Sequence, residues 1–558
     1  MKLLCIASLT SALASAALAA RVAVNWDIGY VSVDRDGHSL RRAVGVNGAL
    51  PIAPIEATIG DTVELTVRNL LDKPLTMHAH GLFPTNNTHM DGPGMLTQCG
   101  IPPGDSFTYV YHLEQTGTFW VHEHLFHGIS DGLRAPLIVY DKPNQAPFDY
   151  DDDLLLTFED WFQEEFADRE MRTLDPNQKF PPPHGYASGL INGIDGNRTH
   201  ELHFEPGKTY RLRLLNMGDL NSFQFSLPGH SMHVIEVDGE YTKPHAVDGI
   251  DIYPAQRYSV LVRAHDSIQC NYRFNSTIHA RFIPAQVGMT PRTYLGDVIY
   301  HQGAPFNNAT DVYAAPGFKW LEDIELQAFN DAPPLTPNRQ ISLDIGNQLY
   351  STGQHLDHIN NVTFAPPRVP TLFTALSMGA LALDARVYGP QTNAIVLRHG
   401  EVIELTINSA NQMPHPIHIH SRSFQVIEYG PAVSQFPVPA DYQNITVRRS
   451  GNAPPRRDTV AIPEYSYVKL RFTAGSFITA VHCHFSIHSM IGMFMVFVES
   501  PDLLQKSLRV PQSMYDMCHK QGIRTSGNAA GNPGLDFRGL QNTPTVVNQP
   551  NRGPPENH

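Results

Sequence analysis

Tryptophan is nearly absent from this chain, with four in 558 residues. Cysteine is almost as rare, with five, which excludes a dense disulfide scaffold. There is no sustained run of Lys or Arg, and the net charge is −14. That balance argues against nucleic acid and against an anionic membrane surface as partner. Beyond the first twenty residues, no apolar run reaches the roughly 18 residues that a membrane helix needs. What is plentiful is Pro (44), Gly (41) and His (28). Many turn residues and few long apolar runs suit an all-β protein. A hydrophobic share of 42% against 17% charged allows ample cores, and the length suits about three domains.

Residues 1–20 begin with Met1-Lys2, continue as an apolar run and end in Ala17-Leu18-Ala19. This is the pattern of a secretory signal cleaved near Ala19 or Ala20, so a secreted, extracellular or cell-wall protein is expected. Six Asn-x-Ser/Thr sequons fit export: Asn86, Asn197, Asn275, Asn308, Asn361 and Asn444. From Thr525 to His558 the composition predicts a loosely ordered tail.

The densest chemistry lies in Val481-His482-Cys483-His484-Phe485-Ser486-Ile487-His488, followed by Gly492-Met493. On a strand, successive side chains face opposite sides. His482 and His484 then share one face and Cys483 takes the other, so one strand can serve two metal centres. Cys483, His488 and Met493 supply a thiolate, an imidazole and a weak thioether; one more histidine completes a blue-copper ligand set.

The chain repeats itself. Ile55 to Val67 alternates like a strand around Gly60-Asp61 and leads to His78-Ala79-His80. Val396 to Ile407 does the same around Gly400 and leads to His415, His418 and His420. Likewise His122-Glu123-His124 matches His482-Cys483-His484, and Gly132-Leu133 matches Gly492-Met493 at the same interval. A middle copy, Glu205 to Asn216, has the strand signal and no His-x-His after it. Three related β-domains are therefore expected, at residues 21–145, 146–330 and 331–558. His78, His80, His122, His124, His418, His420, His482 and His484 give eight imidazoles in pairs, each pair on one face. Eight neutral imidazoles are a poor core without metal and a good cage for a copper cluster.

These motifs resemble the four copper-binding motifs of the multicopper oxidases, the family of laccases, ascorbate oxidases and ferroxidases. Further stretches resemble its fungal members: Thr97-Gln98-Cys99, Arg456-Arg457-Asp458-Thr459-Val460 and Ser526 to Asn532. The resemblance implies three cupredoxin-like Greek-key domains and four copper ions. It places a blue (type 1) copper on Cys483, His415 and His488, with Met493 axial. It places the type 2 copper on His78 and His418, and the type 3 pair on His80, His122 and His484, and on His124, His420 and His482. Electrons would enter at His415 or His488, pass through Cys483 to His482 and His484, and reduce O2 to water. A Cys99–Cys518 disulfide is implied too, leaving Cys270 over. Asp91 is expected to supply protons, because Ser486 stands where many members have an acid. Ala79, Glu123 and Ser421-Arg422 are further departures from the family pattern, and none removes a ligand.

Three readings of function compete. The expected one is a secreted, monomeric laccase-type oxidase of phenols or related aromatics, with a role in pigment or secondary-metabolite coupling. The alternatives are an Fe(II) oxidase and a non-catalytic secreted copper-binding protein. Fungal ferroxidases place carboxylates beside the blue-copper histidines. Here the matching position is Asn411, and Pro181 to Asn192 contains no Asp or Glu, which tips the expectation toward aromatics.

Overall fold

The computed structural model describes residues 19–177, 187–195, 200–266, 270–278, 292–307, 317–434 and 438–540. Six sheets form three two-sheet sandwiches in chain order. The first has two four-stranded sheets, and the second and third each have a seven-stranded and a five-stranded sheet. The fold is cupredoxin-like, three times over.

The repeated sequence signal occupies the same place in each sandwich. Thr62–Asn69 pairs in parallel with Arg21–Val33 and antiparallel with Ser106–His112. Thr209–Asn216 does the same between Asp152–Phe162 and Arg257–Arg263. Val402–Ser409 does so between Arg339–Leu349 and Ser466–Thr473. The physical cause is alternation. Val63, Leu65 and Val67 are fully buried while their neighbours are not. Burying each such side chain contributes about 1.5–3 kcal/mol, and a one-residue slip would expose all three. The Gly60-Asp61 turn does not continue the strand; it separates Ile55–Thr58, in the facing sheet, from Thr62–Asn69.

The disulfide joins Cys99 to Cys518, tying a first-domain loop to the helix Gln512–Lys520. Cys270 carries a free thiol.

Two expectations need correction. The segment after Thr525 is not loose as far as Leu540. Asn528 and Ala529 are fully buried, Ala529 exchanges backbone hydrogen bonds with Val387 and Arg368, and Asn528 donates to Gly534 and Asp536 carbonyls. The Asn side chain supplies the local hydrogen bonds that a Gly-rich composition hides. Asn275 is no glycan site as folded, because it is 1% exposed within the strand Tyr272–Ile278. Asn86, Asn361 and Asn444 are exposed, while Asn197, Asn308 and residues 1–18 lie outside the described residues. Among the described residues, no helix is long and apolar enough to cross a membrane.

Candidate functional site

The strand Ile478–Cys483 is buried along its whole length and separates two clusters. On one face, Cys483 Sγ lies 3.7 Å from His415 Nδ1 and 3.6 Å from His488 Nδ1, and those nitrogens are 3.2 Å apart. His415 opens the strand His415–Ile419, and His488 sits on the short helix Ser486–Met490. The loop then folds back: Met493 N–H donates to the His488 carbonyl, and Cys483 N–H donates to that of Met493. Gly492 permits this with φ of +115°; a Cβ there would lie 2.3 Å from Thr363. Burial pushes the Cys483 thiol well above its ordinary range and pulls His415 down to about 3. A thiol so placed keeps its proton until a binding metal displaces it into solvent. His415 Nε2 meets Asn411 Oδ1 at 3.0 Å, which leaves Nδ1 turned toward Cys483.

One neighbour of this cluster has no sequence signal. Asp357, from the strand His355–Ile359, places Oδ2 3.8 Å from His488 Nδ1. Asn347 donates to its other oxygen at 2.7 Å. Burial raises the Asp357 carboxyl to about 7.

On the other face, the cage forms between the first and third sandwiches. Within each sheet the motif strands are direct partners, His78 opposite His122 and His418 opposite His482. Across the boundary the rings stack, His80 on His418 at 3.8 Å and His78 against His420 at 4.0 Å between centroids. Burial, reinforced by the neighbouring imidazoles, holds His80, His122, His124, His418, His420 and His484 well below the usual histidine range. They are neutral imidazoles, not cations. His78 Nε2, His80 Nδ1, His122 Nε2, His418 Nε2 and both nitrogens of His484 are buried with no hydrogen-bond partner. So many unsatisfied buried nitrogens are costly unless a metal takes them.

The donor atoms within 4.8 Å of one another form several triads. His415–Cys483–His488 and His124–His420–His482 coincide with expected ligand sets, while His78–His418–His420 and His78–His80–His122 cut across them. Imidazoles with one thiolate fit copper. Among the described residues, the second sandwich contributes no such group.

Residues around the cage fix its rings. Asp91 Oδ2 lies 3.0 Å from His420 Nδ1, and its carbonyl accepts from His78 Nδ1 at 2.7 Å. Gly92 makes that approach possible, since a Cβ there would sit 1.9 Å from the Met77 carbonyl oxygen. Asp458 belongs to the Arg456 to Val460 stretch, and no local pattern marks its role. Its Oδ1 lies 3.1 Å from His80 Nε2, its carbonyl 2.9 Å from His418 Nδ1, and Arg257 holds it through two bonds of 2.8 and 2.6 Å. Glu123 points away from the cage, accepting from Leu125, Phe126 and Gly128 N–H groups at 2.6, 3.0 and 3.0 Å. Arg422 pairs with Glu499 inside the third sandwich. Ala79 lines a cavity of about 450 Å³ whose wall includes Asp91 and Tyr111.

Comparison with known proteins agrees with this geometry. Three family models described as multicopper oxidase match residues 27–144, 152–295 and 364–503. The chain is 35% identical to the iron multicopper oxidase fer1 of Mycosarcoma maydis over 97% of its length and 90% of that protein. It is 33% identical to the iron transport multicopper oxidase fetC of Epichloe festucae, covering 95% of this chain and 85% of the relative. The crystal structure of Fet3p, a multicopper oxidase that functions in iron import, superposes with a TM-score of 0.83 at 27% identity, covering 94% of this chain and all of that one. A laccase from Botrytis aclada superposes at 0.71 with 24% identity, over 90% of this chain and 92% of the laccase, which shows the fold alone.

These relatives overturn the expectation of a laccase-type oxidase of aromatics. The weight placed on Asn411 was the error. A strand distant in sequence brings the Asp357 carboxylate to the same cluster, so one position before His415 is a poor guide to the oxygen donors around it.

Proposed function

The chain belongs to the multicopper oxidase family, and from that premise we propose that it is an exported Fe(II) oxidase: 4 Fe(II) + O2 + 4 H+ → 4 Fe(III) + 2 H2O. The observation that carries this reading is near full-length similarity to relatives named for iron. Asp357 adds a physical argument. A carboxylate beside His488 favours Cu(II) over Cu(I) and so keeps the potential low, which suits a strongly reducing donor such as Fe(II).

In this reading Cys483, His415 and His488, with Met493 beside them, would hold the blue copper. His78 and His418 would hold the type 2 ion; His80, His122 and His484, and His124, His420 and His482, would hold the type 3 pair. Bound there, copper supplies single-electron acceptance at the Cys483 face and four-electron reduction of O2 in the cage. The chain's own residues do the rest. Asp91 orients His78 and His420 and holds a proton at the cage wall. Asp458 orients His80 and His418. Asn411 and Asp357 flank the two histidines nearest the donor. The signal-like sequence of residues 1–20 and the exposed sequons at Asn86, Asn361 and Asn444 fit export.

The test is oxygen uptake by copper-loaded protein offered Fe(II), a phenol panel or ascorbate. Fe(II) should give the highest kcat/KM, with four irons oxidised per O2. Oxidation of phenols with no acceleration of Fe(II) over copper-free protein would sink the reading.

A further inference from the structure

Among the described residues the second sandwich contributes no donor to the cage, yet its side chains grip the cage strands of both other sandwiches. On the first, the point held is Thr118, in the strand Gly117–Glu123 that carries His122. Thr118 N–H donates to Glu236 Oε1 at 3.1 Å, its carbonyl accepts from Arg257 Nε at 2.8 Å, and its hydroxyl accepts from Arg213 Nη1 at 3.0 Å. On the third, the points held are Asp458 and Thr459, and Thr459 is the cross-strand partner of His418. Their N–H groups donate to Asp238 Oδ2 at 3.3 and 3.2 Å, and the Thr459 carbonyl accepts from Gln256 Nε2 at 3.2 Å.

Arg257 takes part in both grips and is fully buried. With Nε on Thr118, its other two nitrogens form a two-pronged pair with the Asp458 carboxylate. Gly81, the residue after His80, leaves room for it: a Cβ there would lie 2.4 Å from Arg257 Nη2 and 2.8 Å from Asp458 Oδ2. A planar fork fits a carboxylate in this way and a lysine ammonium does not. Asp458 Oδ1 in turn meets His80 Nε2. The Thr459 hydroxyl lies 2.8 Å from Asp458 Oδ1 and 3.2 Å from both His80 Nε2 and His418 Nδ1. The nitrogens left over on these two rings, His80 Nδ1 and His418 Nε2, are buried with no hydrogen-bond partner. Arg257 thus sets which nitrogen of each ring is free, and where it points, without touching either ring. The blue-copper cluster of His415, Cys483 and His488 lies wholly within the third sandwich and has no such tie to Arg257.

We propose that Arg257 is a positioning residue of the cage: acting through Asp458, it aims His80 and His418, so that the type 2 ion and one type 3 ion are held tightly only while the second sandwich is docked. A sandwich without ligands then has a task in the copper chemistry, which is to fix the two faces of the cage against each other. The proposal rests on the copper cage that the family shares and not on iron being the donor.

The test uses copper-loaded, oxidised enzyme with no electron donor present. Copper per chain is measured by metal analysis during competition with a chelator, beside the blue band near ~600 nm, the type 2 copper signal in electron paramagnetic resonance, and a thermal melt. Arg257→Met removes the fork and keeps most of the bulk. It should retain the blue band and weaken cage copper about 10- to 100-fold, as loss of a group supporting a ligand does. The type 2 signal should be lost or its hyperfine splitting altered. Asp458→Asn should do the same, and the two changes together should add little to either, because one residue acts through the other. Arg257→Lys keeps the charge and should fall between Arg257→Met and the wild type. A wild-type type 2 signal and wild-type chelator resistance in Arg257→Met overturn the proposal; if that variant does not fold, the same result in Arg257→Lys does so. Blue and cage copper lost in parallel, in step with a lower melting temperature, would show general loosening and overturn it too, as would additive losses in the double variant.

Discussion

At the scale of single residues, Cys483 has two histidine nitrogens within hydrogen-bonding reach of its sulfur, and burial keeps its thiol well above the ordinary range. Metal binding is what makes it a thiolate. Cys483→Ser should therefore abolish the intense absorption near ~600 nm expected of a His2Cys copper and leave three coppers per chain by metal analysis. Retention of the band would remove Cys483 from the site. Asp357 touches the same centre through charge alone. Its neutralisation in Asp357→Asn keeps the side-chain shape and the contact with Asn347, and should raise the blue-copper potential on redox titration above about pH 7, where the wild-type carboxyl is ionised. At an effective dielectric near ~20, one charge at this range is worth a few kcal/mol before screening, so a rise on the order of 50–100 mV is expected. An unchanged or lower potential would show that Asp357 does not act on the metal.

At the scale of elements, the turn after the strand Gly117–Glu123 is built on one carboxylate. Glu123 accepts the N–H groups of Leu125, Phe126 and Gly128, and burial lifts its carboxyl to about 7 against their pull. The turn carries His124 into the cage and places His127. Glu123→Ala strands several buried donors and should cost about 2–4 kcal/mol, since each unmet buried group costs about 1–3. Glu123→Gln keeps an acceptor and should cost about 1 kcal/mol, with reoxidation by O2 unchanged. Thermal melts beside stopped-flow traces check both. A block in reoxidation with the fold intact would make Glu123 a proton carrier and overturn its structural role.

At the scale of the whole molecule, ion pairs buried between sandwiches hold the cage closed. Glu159 of the second sandwich binds Arg35 and Arg134 of the first at 3.1 and 2.9 Å. Arg257 of the second binds Asp458 of the third at 2.6 Å. Burial tends to raise the Glu159 carboxyl, and the two arginines outweigh it, leaving it below the ordinary value of 4.5. The unfolded chain then binds a proton more readily than the native one. The stabilisation is complete above about pH 4.5 and is lost as pH falls through the lower folded value. Glu159→Gln should lower stability by about 3–5 kcal/mol near neutrality, as breaking a buried pair does, and should flatten the fall in melting temperature on acidification below that point. A variant that loses stability with acid as steeply as the wild type would refute this.

The sequence by itself determined the periodic parts. Alternation made Thr62–Asn69 and Val402–Ser409 central strands, and the spacing of His-x-His pairs put rings on one face, because a strand repeats every two residues whatever surrounds it. The copper centres were legible for the same reason, being built from local spacing on strands that keep register. Only the tertiary structure decided what packs against them. Asp357 and Asp458 reach their histidines from other strands, Arg257 reaches Asp458 from another domain, and no local pattern marks such contacts. Asn275 shows the converse: its sequon is a local pattern, and burial in a sheet decides against it. The surroundings of His488 follow the same rule, because Asp357 reaches it from a strand that folds beside it and not from the residues that precede it.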